Sequence, residues 1–224
     1  MSRRTPRAVL LDIGMTLIHP SGAVMTEELA AHGAPGVDPA AAAAALAAAA
    51  EAHHTDFPHG LERPTKLGHA WADMLEVDRT AGLAAWTAAA ARPDLYRDLD
   101  PDAVGVLTKL KGAGITTVAV SNSDGTLDEE LDRFGLLGLF DATVDSTVFG
   151  REKPHSSIFT AGLERARCAP QETVFVGDGL INDVFGALAA GIDRTVLYDR
   201  HRVWRTLPVP VIHRLGDLLP LVGC

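Results

Sequence analysis

Asp12 closes the run AVLLD at 8 to 12, Ser121 closes VAVS at 118 to 121, Asp178 follows VFVG at 174 to 177, and Lys153 stands in REKP at 151 to 154. Two carboxylates, a hydroxyl and an ammonium are groups from which nucleophilic attack, metal binding and anion recognition are built. Singly they carry little weight, because an Asp that ends a strand is commonly the N-cap of the next helix. The joint pattern is far less expected by chance. Two residues after Asp12, where a further acid would be useful, the segment Asp12-Ile13-Gly14-Met15-Thr16 holds glycine.

These anchors can meet only if the elements that carry them lie side by side. Short, β-branched-rich apolar runs recur at 8 to 13, 116 to 121, 142 to 146, 173 to 178 and 194 to 199, each bounded by Gly, Asp or Pro. That composition predicts strands covered on both faces. Helix-type stretches lie between them, at 102 to 111, 127 to 134, 156 to 165 and 183 to 190, the last ending at Gly191 as a C-cap. Alternating strands and helices predict a parallel α/β sheet. In such a sheet ligands collect outside the carboxyl ends of the strands, where Asp12, Ser121 and Asp178 all fall.

Residues 19 to 95 break this rhythm. They offer no convincing strand and are rich in alanine, with helices expected at 26 to 32, 40 to 51, 66 to 76 and 79 to 91, separated by Gly and Pro at 33 to 39 and 58 to 64. A helical segment inserted after the first strand reads as a lid or cap, and the alanine run as structural scaffold. Trp71 and Trp86 are expected to pack the cap rather than to stack on substrate.

The 224 residues suffice for one sizeable domain with a smaller insertion. A formal charge of -9 argues against nucleic acid and anionic membranes as partners. The basic N-terminus leads into an apolar run too short for a signal peptide or a membrane span. Cys168 and Cys224 do not make a disulfide framework and fit a reducing cytoplasm. A monomer is the default, with a dimer open.

DIGMTL at 12 to 17, SNSDG at 121 to 125, KP at 153 to 154 and GDGLIND at 177 to 183 occur in this order, the last leading into an Ala-rich helix and Gly191. In these motifs the chain resembles the haloacid dehalogenase superfamily of hydrolases, most of them Mg2+-dependent phosphatases, over essentially its whole length. The resemblance implies a Rossmann-like three-layer α/β core with a parallel sheet, at 1 to 18 and 96 to 224, and an inserted all-helical type 1 cap at 19 to 95. It implies Asp12 as the nucleophile that forms an aspartyl phosphate. Mg2+ would be held by Asp12, Asp178, Asp183 and the main-chain carbonyl of Gly14. Ser121 and the amide of Asn122 would hold phosphoryl oxygens, and Lys153 would add positive charge. Mg2+ suits oxygen ligands, and three carboxylates crowded together without a cation would repel. Lys153 is one of only four lysines and stands in the expected segment. Thr16 either orients Asp12 or serves a helix cap or the turn.

In most phosphatases of this superfamily the residue two after the nucleophile is a second Asp that protonates the leaving group. Gly14 cannot do so, at a cost of about 10²–10⁴-fold in rate where nothing replaces it. Phosphatases with glycine at that place are known in the superfamily. Candidate surrogates or substrate contacts are His19, Lys66 and His69, within a polar cluster that includes His53, His54, His59 and Arg63. The bland reading of each is a solvated cap residue. The expected partner is a small phosphorylated metabolite. The alternative outside catalysis is a module that binds a phosphorylated ligand or a protein through the same pocket. A haloacid dehalogenase is disfavoured by the paired acids Asp178 and Asp183. A phosphonate hydrolase would need Lys66, the only cap lysine, as its Schiff base.

Overall fold

The structure is a computed structural model that describes residues 5–55 and 63–224. The chain divides into two compact units, Met1–Leu17 with Leu99–Cys224, and Ile18–Asp98. In chain order, β1 (Ala8–Leu11) opens the first unit. The second holds β2 (Ile18–Pro20), α1 (Gly22–Ala31), α2 (Pro39–Thr55), α3 (Arg63–Met74) and α4 (Arg79–Ala90), and β3 (Tyr96–Leu99) leads out of it. The first unit resumes with α5 (Ala103–Gly112), β4 (Thr116–Ser121), α6 (Leu127–Arg133), β5 (Ala142–Asp145), α7 (Ser146–Phe149), α8 (Ser156–Ala166) and β6 (Thr173–Gly177). A π-helix at Leu180–Phe185 precedes α9 (Gly186–Ala189), β7 (Thr195–Tyr198), β8 (Val211–Ile212) and α10 (Leu218–Val222).

Six strands form one parallel sheet in the order β5-β4-β1-β6-β7-β8. Every residue of β1 is buried, as the uninterrupted apolar run requires of a central strand. Leu10, Val118, Val120, Ile158, Phe159 and Phe175 share one core cluster, with the Phe159 and Phe175 rings edge to face at 5.0 Å. Leu11 pairs with Ala119 on one side and Val176 on the other, so Asp12 leaves the sheet beside the ends of both neighbours.

The Ile18–Asp98 unit closes a core of its own. Val24, Met25, Leu29, Leu46, Trp71 and Trp86 cluster, the two indoles edge to face at 6.1 Å, with Trp71 Nε1 donating to Ala42 O. Ala42, Ala45, Leu46 and Ala49 put one stripe of the alanine-rich helix inside, so the run is a packing face rather than a bare spacer. Its first turn is capped by Asp38, whose Oδ1 accepts the Ala41 N–H. The pair β2–β3 adds two short strands that the sequence reading does not assign. Three residues of Ile-His-Pro are too few to show a period of two.

Among the described residues no helix is long and apolar enough to cross a membrane, and both cysteines are free. The expected helix at 183 to 190 is corrected. It begins at Leu180 as a π-helix and becomes α-helical only at Gly186, because the amides of Asp183 and Val184 both bond to Gly179 O.

Candidate active site

Asp12 sits one residue past β1, 5 % exposed, its amide bonded to Val176 O. The chain then turns tightly. Leu17 N–H returns to Ile13 O, and Met15 takes a left-handed backbone at φ 63°, a conformation that costs an L-residue about 1–2 kcal/mol. The turn brings Thr16 back against its own start. Its Oγ1 lies 2.9 Å from Asp12 Oδ2 and 3.2 Å from Asp178 Oδ1, and accepts the Asp178 N–H at 3.1 Å. Thr16 is fully buried and ties the first motif to the last, beyond the turn role open to it from sequence.

Asp178 follows β6 directly, and the π-helix delivers Asp183. The carboxylates of Asp12, Asp178 and Asp183 each offer an oxygen, all within 4.8 Å of one another. Asp183 Oδ2 accepts the Gly179 N–H at 2.8 Å. Gly177 makes room for it, since a Cβ there would stand 2.4 Å from Asp183 Oδ2. Single-turn π segments are frequent where a side chain must be re-aimed at a site.

Lys153 reaches the cluster from the loop between α7 and α8. Its Nζ lies 2.5 Å from Asp12 Oδ1 and 2.7 Å from Asp183 Oδ1, and its side chain is 3 % exposed. Burial opposes the ammonium's charge, but the two carboxylates outweigh it and hold its pKa above the ordinary lysine range. Burial likewise pushes the Asp183 carboxyl up to about 6, with Asp12 adding to the shift and Lys153 opposing it. Ser121 is buried at the end of β4. The Asn122 carboxamide is bonded to the backbone of Lys153, which nothing in the sequence announces.

The structure therefore brings Asp12, Asp178, Asp183 and Lys153 into one cluster, with Thr16 bridging. His19 is buried on β2, while Lys66 and His69 are part-buried on α3, all in the other unit. His59 lies outside the described residues, as do the side chains of His53, His54 and Arg63. Three carboxylates facing one ammonium make a hard, oxygen-rich, net-negative donor set, which fits a divalent cation such as Mg2+.

A parallel sheet with an inserted second unit, and acids converging at the carboxyl ends of its central strands, define a Rossmann-like α/β core with an acidic site. Residues 6–191 match the family model of the haloacid dehalogenase-like hydrolases, and the chain belongs to that family of enzymes. It is 38% identical over 102 residues to ribulose-1,5-bisphosphate 5-phosphatase of Halopiger xanaduensis, a match covering 45% of this chain and 42% of that protein. The chain thus aligns with less than half the length of that relative. Pyrimidine 5'-nucleotidase YjjG of Escherichia coli is 29% identical over 174 residues, covering 73% of this chain and 76% of its own. Among solved structures, the HAD-hydrolase YfnB of Bacillus subtilis superposes with a TM-score of 0.65 at 19% identity, over 99% of this chain and all of that one. That likeness shows the fold.

Proposed function

We propose that the protein is a Mg2+-dependent phosphatase that hydrolyses a small phosphorylated metabolite through an aspartyl phosphate on Asp12. The observation that carries this reading is the buried cluster in which Lys153 joins Asp12 and Asp183 while all three acids lie within 4.8 Å. A module that only bound phosphate would gain nothing from carboxylates facing an anion. Relatives named as phosphatases of a sugar bisphosphate and of nucleotides support the class of substrate. Two free cysteines fit a reducing cytoplasm.

Asp12, Asp178 and Asp183, with the main-chain carbonyl of Gly14, would hold the cation. When bound, it supplies charge neutralisation for the phosphoryl oxygens. The chain's own groups do the rest. An Asp12 carboxylate oxygen attacks phosphorus as the bond to the leaving oxygen breaks. Thr16 and Lys153 fix the rotamer of Asp12. Ser121 and the Asn122 amide receive the phosphoryl oxygens, and the Lys153 ammonium offsets charge that builds in the transition state. Water then cleaves the phosphorus–oxygen bond to Asp12 and restores the carboxylate. Gly14 has no proton for the leaving alkoxide, so His19, Lys66 and His69 are the surrogates proposed, and the Ile18–Asp98 unit serves as the selecting cap.

The test is phosphate release with Mg2+ from an aryl, an acyl and a sugar phosphate, comparing wild type with Asp12→Asn and Gly14→Asp. Turnover should vanish in Asp12→Asn. Gly14→Asp should raise sugar-phosphate turnover by about 10²-fold while moving aryl phosphate little. Phosphate release that persists in Asp12→Asn would overturn the mechanism, and wild type inert on all three substrates would overturn the reading.

A further inference from the structure

Asn122 follows Ser121 at the end of β4, and on the proposed reading its main-chain amide receives phosphate. Its side chain is already occupied elsewhere. Nδ2 donates to Lys153 O at 3.0 Å, and Oδ1 accepts the Lys153 N–H at 2.7 Å. A planar carboxamide is the side chain that presents a donor and an acceptor side by side, so it can close a two-bond ring on the backbone of one residue.

That residue matters. Arg151, Glu152, Pro154 and His155 around it are exposed, and Lys153 alone of this loop turns inward. Within the loop the His155 N–H bonds locally to Glu152 O. The ring on Asn122 therefore fixes the main chain from which the buried ammonium reaches Asp12 and Asp183.

We propose that Asn122 is a positioning residue whose carboxamide locks the backbone of Lys153, so that the loop receiving the phosphoryl group and the loop carrying the compensating charge move as one body. This rests on the phosphatase reading. A lysine displaced by an ångström loses its aim at both the nucleophile and the phosphoryl oxygens, the kind of misplacement that costs about 10²-fold in rate. Alanine at 122 removes both bonds. Aspartate keeps the size and the acceptor but sets a carboxylate oxygen against the Lys153 carbonyl.

The test is a double-mutant cycle on an aryl phosphate, with Asn122→Ala, Asn122→Asp, Lys153→Ala and the double variant Asn122→Ala with Lys153→Ala. Asn122→Ala should lower kcat by about 10²-fold with little change in KM, and Asn122→Asp by at least as much. In the Lys153→Ala background the Asn122 substitution should cost almost nothing further, because its effect passes through a side chain no longer there. Lysine acetylation read by mass spectrometry gives a measure free of activity. Lys153 should be protected in wild type and modified in Asn122→Ala, while the thermal transition stays cooperative. Additive losses, a change confined to KM, or continued protection of Lys153 in Asn122→Ala would each overturn the clamp. If wild type lacks Asp12-dependent turnover the phosphatase reading fails, and Lys153 protection still decides the clamp.

Discussion

Three clustered carboxylates, those of Asp12 and Asp183 buried and paired with the Lys153 ammonium and that of Asp178 half-buried, carry more negative charge than they can settle among themselves without a cation or a proton. The Asp183 carboxyl is raised chiefly by burial, with Asp12 adding to the shift, and the consequence for stability has a definite sign. Because its folded pKa of about 6 exceeds the ordinary carboxylate value, the folded state holds this proton more tightly than the unfolded chain. The contribution is complete below the unfolded value and is lost as pH rises through about 6. Chelator-treated wild type should therefore lose Tm relative to Asp183→Asn between about pH 5 and pH 7. Mg2+ should erase that trend in wild type, since the cation takes the place of the proton. Thermal melts across this range with and without chelator decide it; a wild type that gains on Asp183→Asn as pH rises contradicts the assignment.

At the scale of elements, the corner after β5 does for the loops what Lys153 does for the acids. Asp145 is the last residue of this edge strand, and its two oxygens accept four main-chain N–H groups. Oδ1 takes Thr147 and Val148 at 2.8 and 3.3 Å, opening α7, and Oδ2 takes Gly125 and Leu127 at 3.1 and 3.3 Å, opening α6. Ser146 and Thr147 hydroxyls add bonds to Ser123 O. One carboxylate thus staples the loop after Ser121 to the next strand. Asp145→Ala should cost about 2–3 kcal/mol, because these donors lose a charged acceptor at a largely buried position, and Asp145→Asn should cost less. Urea unfolding measures both; a loss within about 0.5 kcal/mol for the alanine variant would mean the corner holds without the staple. Such corners explain what the sequence discloses and what it hides. The strands at 116 to 121 and 173 to 177, and the acids at their ends, were legible because a run buried on both faces is apolar and stops where it meets the site. Thr16 orienting Asp12 was open from the sequence, but its reach to Asp178, the Asn122 clamp and the Asp145 staple were not legible. Each acts on groups far along the chain, and only the packed sheet brings those within 3.5 Å. The π-helix was hidden for a related reason: an i to i+5 bond leaves no separate period over six residues.

At the scale of the molecule, the two units each close an apolar core, one around Phe159 and Phe175 and the other around Trp71 and Trp86. The chain leaves the first unit after Leu17 and returns at Leu99. These two crossings are tied within the first unit, where the Asp100 amide donates to Leu17 O at 2.8 Å. Asp100 is in turn held by the Tyr198 hydroxyl at 2.6 Å and the Arg200 guanidinium at 3.1 Å, and burial of the phenol, joined by its bond to the Asp100 carboxylate, keeps the Tyr198 pKa above the phenol range. The ends of the insertion are thus close together and anchored on the sheet, the arrangement in which a segment can be removed without opening the domain that carries it. A chain joining Leu17 to Leu99 through a short Gly/Ser linker should fold, because the core it needs is all in the retained residues. It should also keep the acid cluster and Lys153, and on the proposed reading both it and the whole protein should gain Tm with Mg2+ by RT ln(1 + [Mg2+]/Kd). Selection among phosphorylated substrates, if it resides in the excised unit, should be lost while aryl phosphate is still cleaved. Melting curves with rising Mg2+ for the excised and whole chains are the decisive measurement. A cooperative transition with matching Mg2+ dependence would place the metal chemistry in the sheet unit alone, and an excised chain that melts without Mg2+ dependence would show that the insertion supplies part of the cation site.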